Sequence, residues 1–123
     1  YNTKMNQSVR DMAQDARLAV DLASEAIASD ILLLNISKCS DFADYFVIMT
    51  ASSVRQINSL SESIDKGLRN VGLTRHHKEG IAASGWVLLD FGDLIIHIFG
   101  SEQREHYNLE SAWAQAIEVT RLQ

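Results

Sequence analysis

Two aspartates, Asp90 and Asp93, stand three residues apart around the pair Phe91-Gly92. Paired carboxylates so placed can hold a divalent cation and orient a phosphate, the chemistry of a metal-dependent nucleotidyl-transfer site. Aspartates also bracket tight turns, because their side chains accept hydrogen bonds from nearby backbone N–H groups. A phosphoryl-transfer site asks in addition for a glycine-rich phosphate loop or a basic clamp. The segment after the second apolar run, Ala51-Ser52-Ser53-Val54-Arg55, contains no glycine. The turn reading therefore leads, and no catalytic residue is assigned.

The remaining reactive side chains are scattered. His76 and His77 are adjacent, so on a strand they point to opposite faces, and no second histidine or cysteine stands at metal-ligand spacing. His97 lies in an apolar run, where a histidine is more often packed or hydrogen-bonded than a general base. Cys39 is the single cysteine, with no helix start behind it to activate a thiolate. No metal and no cofactor is expected. A mixed aromatic and aliphatic set remains: Trp86, Leu88 and Ile95, rimmed by Asp90, Asp93 and His97, with Tyr107 and Trp113 able to extend it. Tryptophan and tyrosine dominate interface energetics when an apolar patch is left open. Two readings stand level: the patch receives a partner, or the last helices of the chain fold over it.

These residues need elements to position them. Val9, Met12, Ala13, Ala16, Ala19, Val20, Ala23 and Ile27 recur at three- and four-residue steps, the pattern of a helix that begins after Ser8. Residues 31–36 and 45–50 read as strands, the second uninterrupted by polar residues and so central. Ser53 with Gln56 has the form of a capping box, and Val54, Ile57, Leu60, Ile64, Leu68 and Val71 make a second helical stripe ending at Gly72. Residues 73–79 read as a weak edge strand. Residues 86–99 read as a hairpin turning at Phe91-Gly92, with Trp86, Leu88, Asp90, Asp93, Ile95 and His97 on one face. Val87, Leu89, Phe91, Leu94, Ile96 and Ile98 occupy the other. Residues 102–113 read as one or two short helices. The expected fold is α/β, a mixed sheet of about five strands with two main helices on one face and short C-terminal helices.

A chain of 123 residues with 46% hydrophobic and 22% charged residues has the size and composition of one globular domain. The domain is expected over residues 8–114, with a flexible or extraneous segment at 1–7, where no initiator Met precedes Tyr1, and a tail at 115–123. The apolar runs are far shorter than the roughly 20 residues that cross a bilayer, and no secretory pattern is evident, so a cytoplasmic protein is expected. The net charge of −5 has the wrong sign for a face gripping phosphate backbones, so contact with nucleic-acid machinery should pass through a basic protein.

Three blocks carry a family resemblance over residues 30–113. The first is Asp41-Phe42-Ala43-Asp44-Tyr45-Phe46-Val47-Ile48-Met49-Thr50, followed by Ser52, Ser53, Arg55 and Gln56. The second is Glu79-Gly80, then Gly85-Trp86-Val87-Leu88-Leu89-Asp90-Phe91-Gly92-Asp93 with His97 and Phe99. The third is Arg104-Glu105-His106-Tyr107-Asn108-Leu109-Glu110-Ser111-Ala112-Trp113. In order and spacing they resemble the Iojap, or ribosome silencing factor, family. Ala112 stands where the family has Leu, and His106 where it has a large apolar residue. The resemblance implies a nucleotidyltransferase-like topology and a non-catalytic translation repressor. Such a factor binds the large ribosomal subunit through its ribosomal protein fourteen and sterically blocks joining of the small subunit. It further implies partner contacts at Trp86, Leu88, Asp90, Gly92 and Asp93, with Arg104 and Tyr107 behind them. Trp86 would be the buried anchor, and the aspartates would pair with Lys or Arg on the basic ribosomal protein. Little direct RNA contact is implied, and a homodimer off the ribosome is allowed. Fold kinship keeps a metal-dependent nucleotidyltransferase-like enzyme as the alternative.

Overall fold

Small residues dictate how closely the first helix approaches its neighbours. In the computed structural model, which describes residues 11–123, helix α1 spans Met12–Glu25 and buries Ala16, Ala19, Val20 and Ala23. Its cap is Asp11, whose carboxylate accepts from the Gln14 N–H at 3.3 Å, which satisfies one of the orphan donors of the first turn. The expected start after Ser8 and the segment 1–7 lie outside the described residues. Helix α2, Val54–Asn70, buries Ile57, Leu60, Ile64 and Leu68 on one stripe. Each of these side chains contributes about 1.5–3 kcal/mol by leaving water. The two helices touch at Gly67, where a Cβ would stand only 2.5 Å from Leu22 Cδ1.

The capping box forms only in part. The Ser53 hydroxyl accepts from the Gln56 N–H at 3.1 Å, as expected. The Gln56 side chain does not return to Ser53. Its oxygen accepts from Ser52 N at 2.6 Å, and its nitrogen donates to the carbonyls of Ala26 and Ile27. Gln56 thereby ties the start of α2 to the turn after α1, where Ile27 is held at φ 64°.

The strands are β1 Ser29–Asn35, β2 Tyr45–Ala51, β3 His77–Glu79, β4 Trp86–Asp90, β5 Leu94–Gly100 and β6 Ile117–Leu122. They form one mixed sheet in the order β3-β4-β5-β2-β1-β6. Among the described residues only the β2–β5 pair is parallel; the other neighbours are antiparallel. Six of the seven β5 residues are buried, which explains an apolar run without alternation. Helices α1 and α2 cover one face over a core that includes Val47, Met49, Val87, Leu89, Ile96 and Ile98. A second core on the opposite face gathers Leu32, Leu34, Phe46, Ile48, Ile95 and Phe99. Helices α3, Ser101–Tyr107, and α4, Leu109–Ala112, follow β5.

Two details differ from expectation. Among the described residues the sheet of about five strands has six, because residues 117–122 of the expected tail pair with β1. This strand lies on the sheet edge with four of its six positions exposed, so burial imposed no two-residue alternation on its sequence. The hairpin turn also sits one residue later than expected. Phe91 N–H donates to the Leu94 carbonyl at 2.9 Å, leaving Gly92 and Asp93 at the tip. Gly92 supplies φ 90° there, a conformation costly for other residues, while Phe91 is drawn into the helix-side core.

A candidate partner-binding face

Trp86 opens β4 and has its Cβ on the face away from α1 and α2, because residues along a strand alternate and Val87 and Leu89 are taken by the helix-side core. Gly85 before it holds φ 83°, and the Gln103 side chain lies where a Cβ would project. The indole is half-buried, stacked on Phe99 with centroids 4.9 Å apart and tilted on Tyr107 at 4.6 Å. Its Nε1–H donates to His97 Nδ1 at 3.2 Å. Leu88, two residues on, is half-buried on the same face.

An open groove of about 290 Å³ runs past these side chains, lined by Glu79, Gly80, Ser84, Trp86, Leu88 and Tyr107. Tyr107 is 49% exposed at the C-terminal end of α3. The C-terminal segment covers this face only in part. Leu109, Trp113 and Ala116 pack against the second core, where the Trp113 ring meets Phe46 at 5.1 Å. Around Trp86 and Leu88 the face stays open. Tyr107 extends the Trp86 patch as expected; Trp113 instead joins Phe46 and Phe42, and Phe42 remains 59% exposed.

The aspartates lie farther along, Asp90 at the end of β4 and Asp93 in the turn before β5. Asp90 is four residues from Trp86, about 13 Å along an extended chain. Its Oδ1 accepts from the Gly92 N–H at 2.8 Å, and its carbonyl accepts from His76 N–H at 2.8 Å. In the observed register Asp90 faces Ile95, so it does not pair across the hairpin with Asp93. The Asp93 carbonyl accepts from the Asp44 and Tyr45 N–H groups, fastening the turn to the start of β2, and Asp93 itself is exposed. A Cβ on Gly92 would meet His76 Cε1 at 3.2 Å, so a side chain there is both strained and crowded. Among the described residues no three His, Cys, Asp or Glu side chains converge as metal ligands. His76 and His77 are exposed, and His77 pairs with Glu79 at 3.4 Å.

Arg104 is the residue whose expected role changes most. Expected as a partner contact, it is 7% exposed and committed inside the molecule. Nη1 donates to the Asp30 carbonyl at 2.7 Å and to Thr50 Oγ1 at 2.9 Å, while Nε and Nη2 grip the Glu110 carboxylate. Burial raises the Glu110 carboxyl, but the Arg104 hydrogen bond and charge outweigh it and hold the group below the usual carboxylate range. The geometry withdraws Arg104 from the contact surface and makes it the clasp of α3.

Sequence reasoning missed Glu79, Gly80 and Ser84 as groove walls. Only the Glu79-Gly80 pair in the second block hinted at them. His97, 3% exposed, is packed and hydrogen-bonded. Because Nδ1 accepts from Trp86, the neutral ring carries its proton on Nε2, which is buried without a hydrogen-bond partner among the described residues. Burial pushes the His97 pKa from 6.5 down to about 3.

In the unfolded chain His97 titrates normally, so between these values the unfolded state binds the extra proton. Stability held by the neutral ring is fully present above the unfolded value and declines as pH falls toward 3. At roughly 1.4 kcal/mol per pH unit, urea unfolding at pH 5 should give a stability about 2 kcal/mol lower than at pH 7. His97→Asn should flatten most of that difference. Equal stabilities at the two pH values would show that the ring is not held neutral by burial.

Comparison with known proteins gives a consistent picture. Residues 9–123 match the family model described as ribosomal silencing factor during starvation. The chain is 32% identical over 103 residues to a ribosomal silencing factor from Halalkalibacterium halodurans, covering 84% of this chain and 88% of that protein. It is 36% identical over 118 residues to the chloroplastic Iojap protein of Zea mays, covering 89% of this chain and 49% of the maize protein. A solved structure from Chromobacterium violaceum shares the fold with a TM-score of 0.82 at 27% identity, covering 85% of this chain and 88% of that one.

Proposed function

Since the chain belongs to the ribosomal silencing factor family, we propose that it binds the large ribosomal subunit through ribosomal protein fourteen and sterically blocks joining of the small subunit. The observation that carries this reading is the open groove beside the half-buried Trp86, on a face that the C-terminal segment covers only in part. Trp86, Leu88 and Tyr107 form its apolar core. Asp90, Gly92 and Asp93 form an outlying acidic end at the hairpin tip, where the carboxylates meet Lys or Arg at the rim of the contact. Arg104 takes part only by holding α3. The net charge of −5 favours encounter with a basic protein surface over bare RNA. The protein acts in the cytoplasm, by occupying a surface and without chemistry.

The alternative, metal-dependent nucleotidyl transfer, needs Asp90 and Asp93 turned onto one cation. Asp90 is instead turned to the Gly92 N–H. Magnesium-dependent nucleotide binding in calorimetry, lost in Asp90→Asn, would revive it.

The test is sedimentation of purified large and small subunits with and without excess protein, at a magnesium level that permits joining. The joined peak should shrink and the protein should travel with the large subunit. Undiminished joining, with the protein at the top of the gradient, would refute the proposal. No helix among the described residues is long and apolar enough to cross a membrane.

A further inference from the structure

An aromatic anchor serves recognition best when its ring is already fixed at the angle that the partner meets, because a side chain that turns freely must be immobilised on binding. Stacking against Phe99 and Tyr107 restricts the Trp86 ring but supplies no direction to its N–H. The directed contact is the hydrogen bond from Nε1 to His97 Nδ1 at 3.2 Å. His97 lies opposite Leu88 in the β4–β5 register, so it is the diagonal neighbour of Trp86 on the same face.

We propose that His97 is the positioning residue of the Trp86 anchor, fixing the indole from beneath while touching no partner itself. The inference rests on the reading of Trp86 as a partner contact. His97 is 3% exposed, so a docking protein would not reach it. Its own ring is fixed in turn: Phe46 meets it in a T-shaped contact at 4.6 Å, and Phe99 lies nearly parallel at 6.2 Å. The Trp113 ring closes over Phe46, so docking of the C-terminal segment reaches Trp86 through Phe46 and His97. The choice of residue is itself informative. A leucine or phenylalanine would fill this site without leaving Nε2 buried and unpartnered. What neither would supply is the acceptor for the indole.

The experiment combines indole N–H exchange by NMR in the free protein with affinity for purified large subunits. Trp113→Phe identifies the Trp86 resonance, since the chain has two tryptophans. In the unsubstituted protein the Trp86 N–H should exchange about tenfold or more slowly relative to a free indole. His97→Phe keeps an aromatic ring, one atom larger, and removes the acceptor; it should abolish that protection and weaken large-subunit binding about tenfold. His97→Asn places a side-chain oxygen near the position of Nδ1 and should restore both to within about threefold. Fast exchange in the unsubstituted protein overturns the proposal without reliance on any variant. So does His97→Phe with protection and affinity unchanged. If the unsubstituted protein does not bind the large subunit, the reading of Trp86 as a contact fails, and exchange alone decides the positioning. Protection lost in His97→Phe then upholds it, and protection retained overturns it.

Discussion

Trp86→Ala is expected to weaken large-subunit binding by about thirtyfold or more, and to remove the block on subunit joining at concentrations where the parent protein is effective. Central tryptophans in interfaces commonly contribute 2 kcal/mol or more on truncation, and about 1.4 kcal/mol corresponds to each factor of ten in affinity. The fold should survive. The indole lies on top of Phe99 and beside Tyr107, and Phe99 beneath it is fully buried in the second core. Removing a half-buried ring at that level should cost about 1–2 kcal/mol of packing, visible as a lower melting temperature with unchanged far-ultraviolet dichroism. Leu88→Lys is a companion that leaves Trp86 in place. It sets a positive charge in the groove and should repel a basic partner by a similar factor. Full blocking by folded Trp86→Ala would remove Trp86 as the anchor and direct attention to the acidic hairpin tip.

The sequence carried the faces of the hairpin better than its turn, and the reason is geometric. Moving the tip from Phe91-Gly92 to Gly92-Asp93 changes the sum of paired residue numbers by two. An even change preserves which side chains share a face. Trp86, Leu88 and His97 therefore lie together as expected, although Asp90 faces Ile95 and not Asp93. Periodicity was reliable for the middle of the two long helices but overran their ends: Ile27, Val54 and Val71, expected on the buried stripes, are exposed, and Ile27 and Val71 lie past the last helical residues. It was silent for β6, an edge strand with no buried face to mark. Arg104 illustrates a limit of a different kind. Arginine in a recognisable block reads as a surface contact, because its partners Asp30 and Thr50 lie 74 and 54 residues away. Only the folded chain brings them together. Whether the last helices covered the Trp86 face likewise depended on where Trp113 came to rest, and local sequence does not encode that.

The second large effect is expected at that clasp. Arg104→Met keeps the apolar stem and removes the guanidinium, leaving Glu110 and Thr50 without the cation that gathers them, while Asp30 keeps its ion pair with Arg121 at 2.8 Å. Breaking a buried ion pair from one side typically costs 3–5 kcal/mol, because the abandoned charge stays desolvated. Here the carboxylate side chains of Glu110 and Asp30 are 28% and 39% exposed, so water can partly replace the arginine. A loss of about 3 kcal/mol in urea unfolding is the corresponding expectation. Two further measurements separate a clasp from a bystander. In Arg104→Met with Glu110→Gln, the second change removes the stranded charge, so the double variant should recover about 1 kcal/mol relative to Arg104→Met alone. Arg104 also holds the helix that carries Tyr107, and Tyr107 leans on Trp86. Folded Arg104→Met should thus bind large subunits more weakly than the parent despite removing no surface contact. A stability change below about 1 kcal/mol, with affinity untouched, would mean that α3 is held by its packing alone.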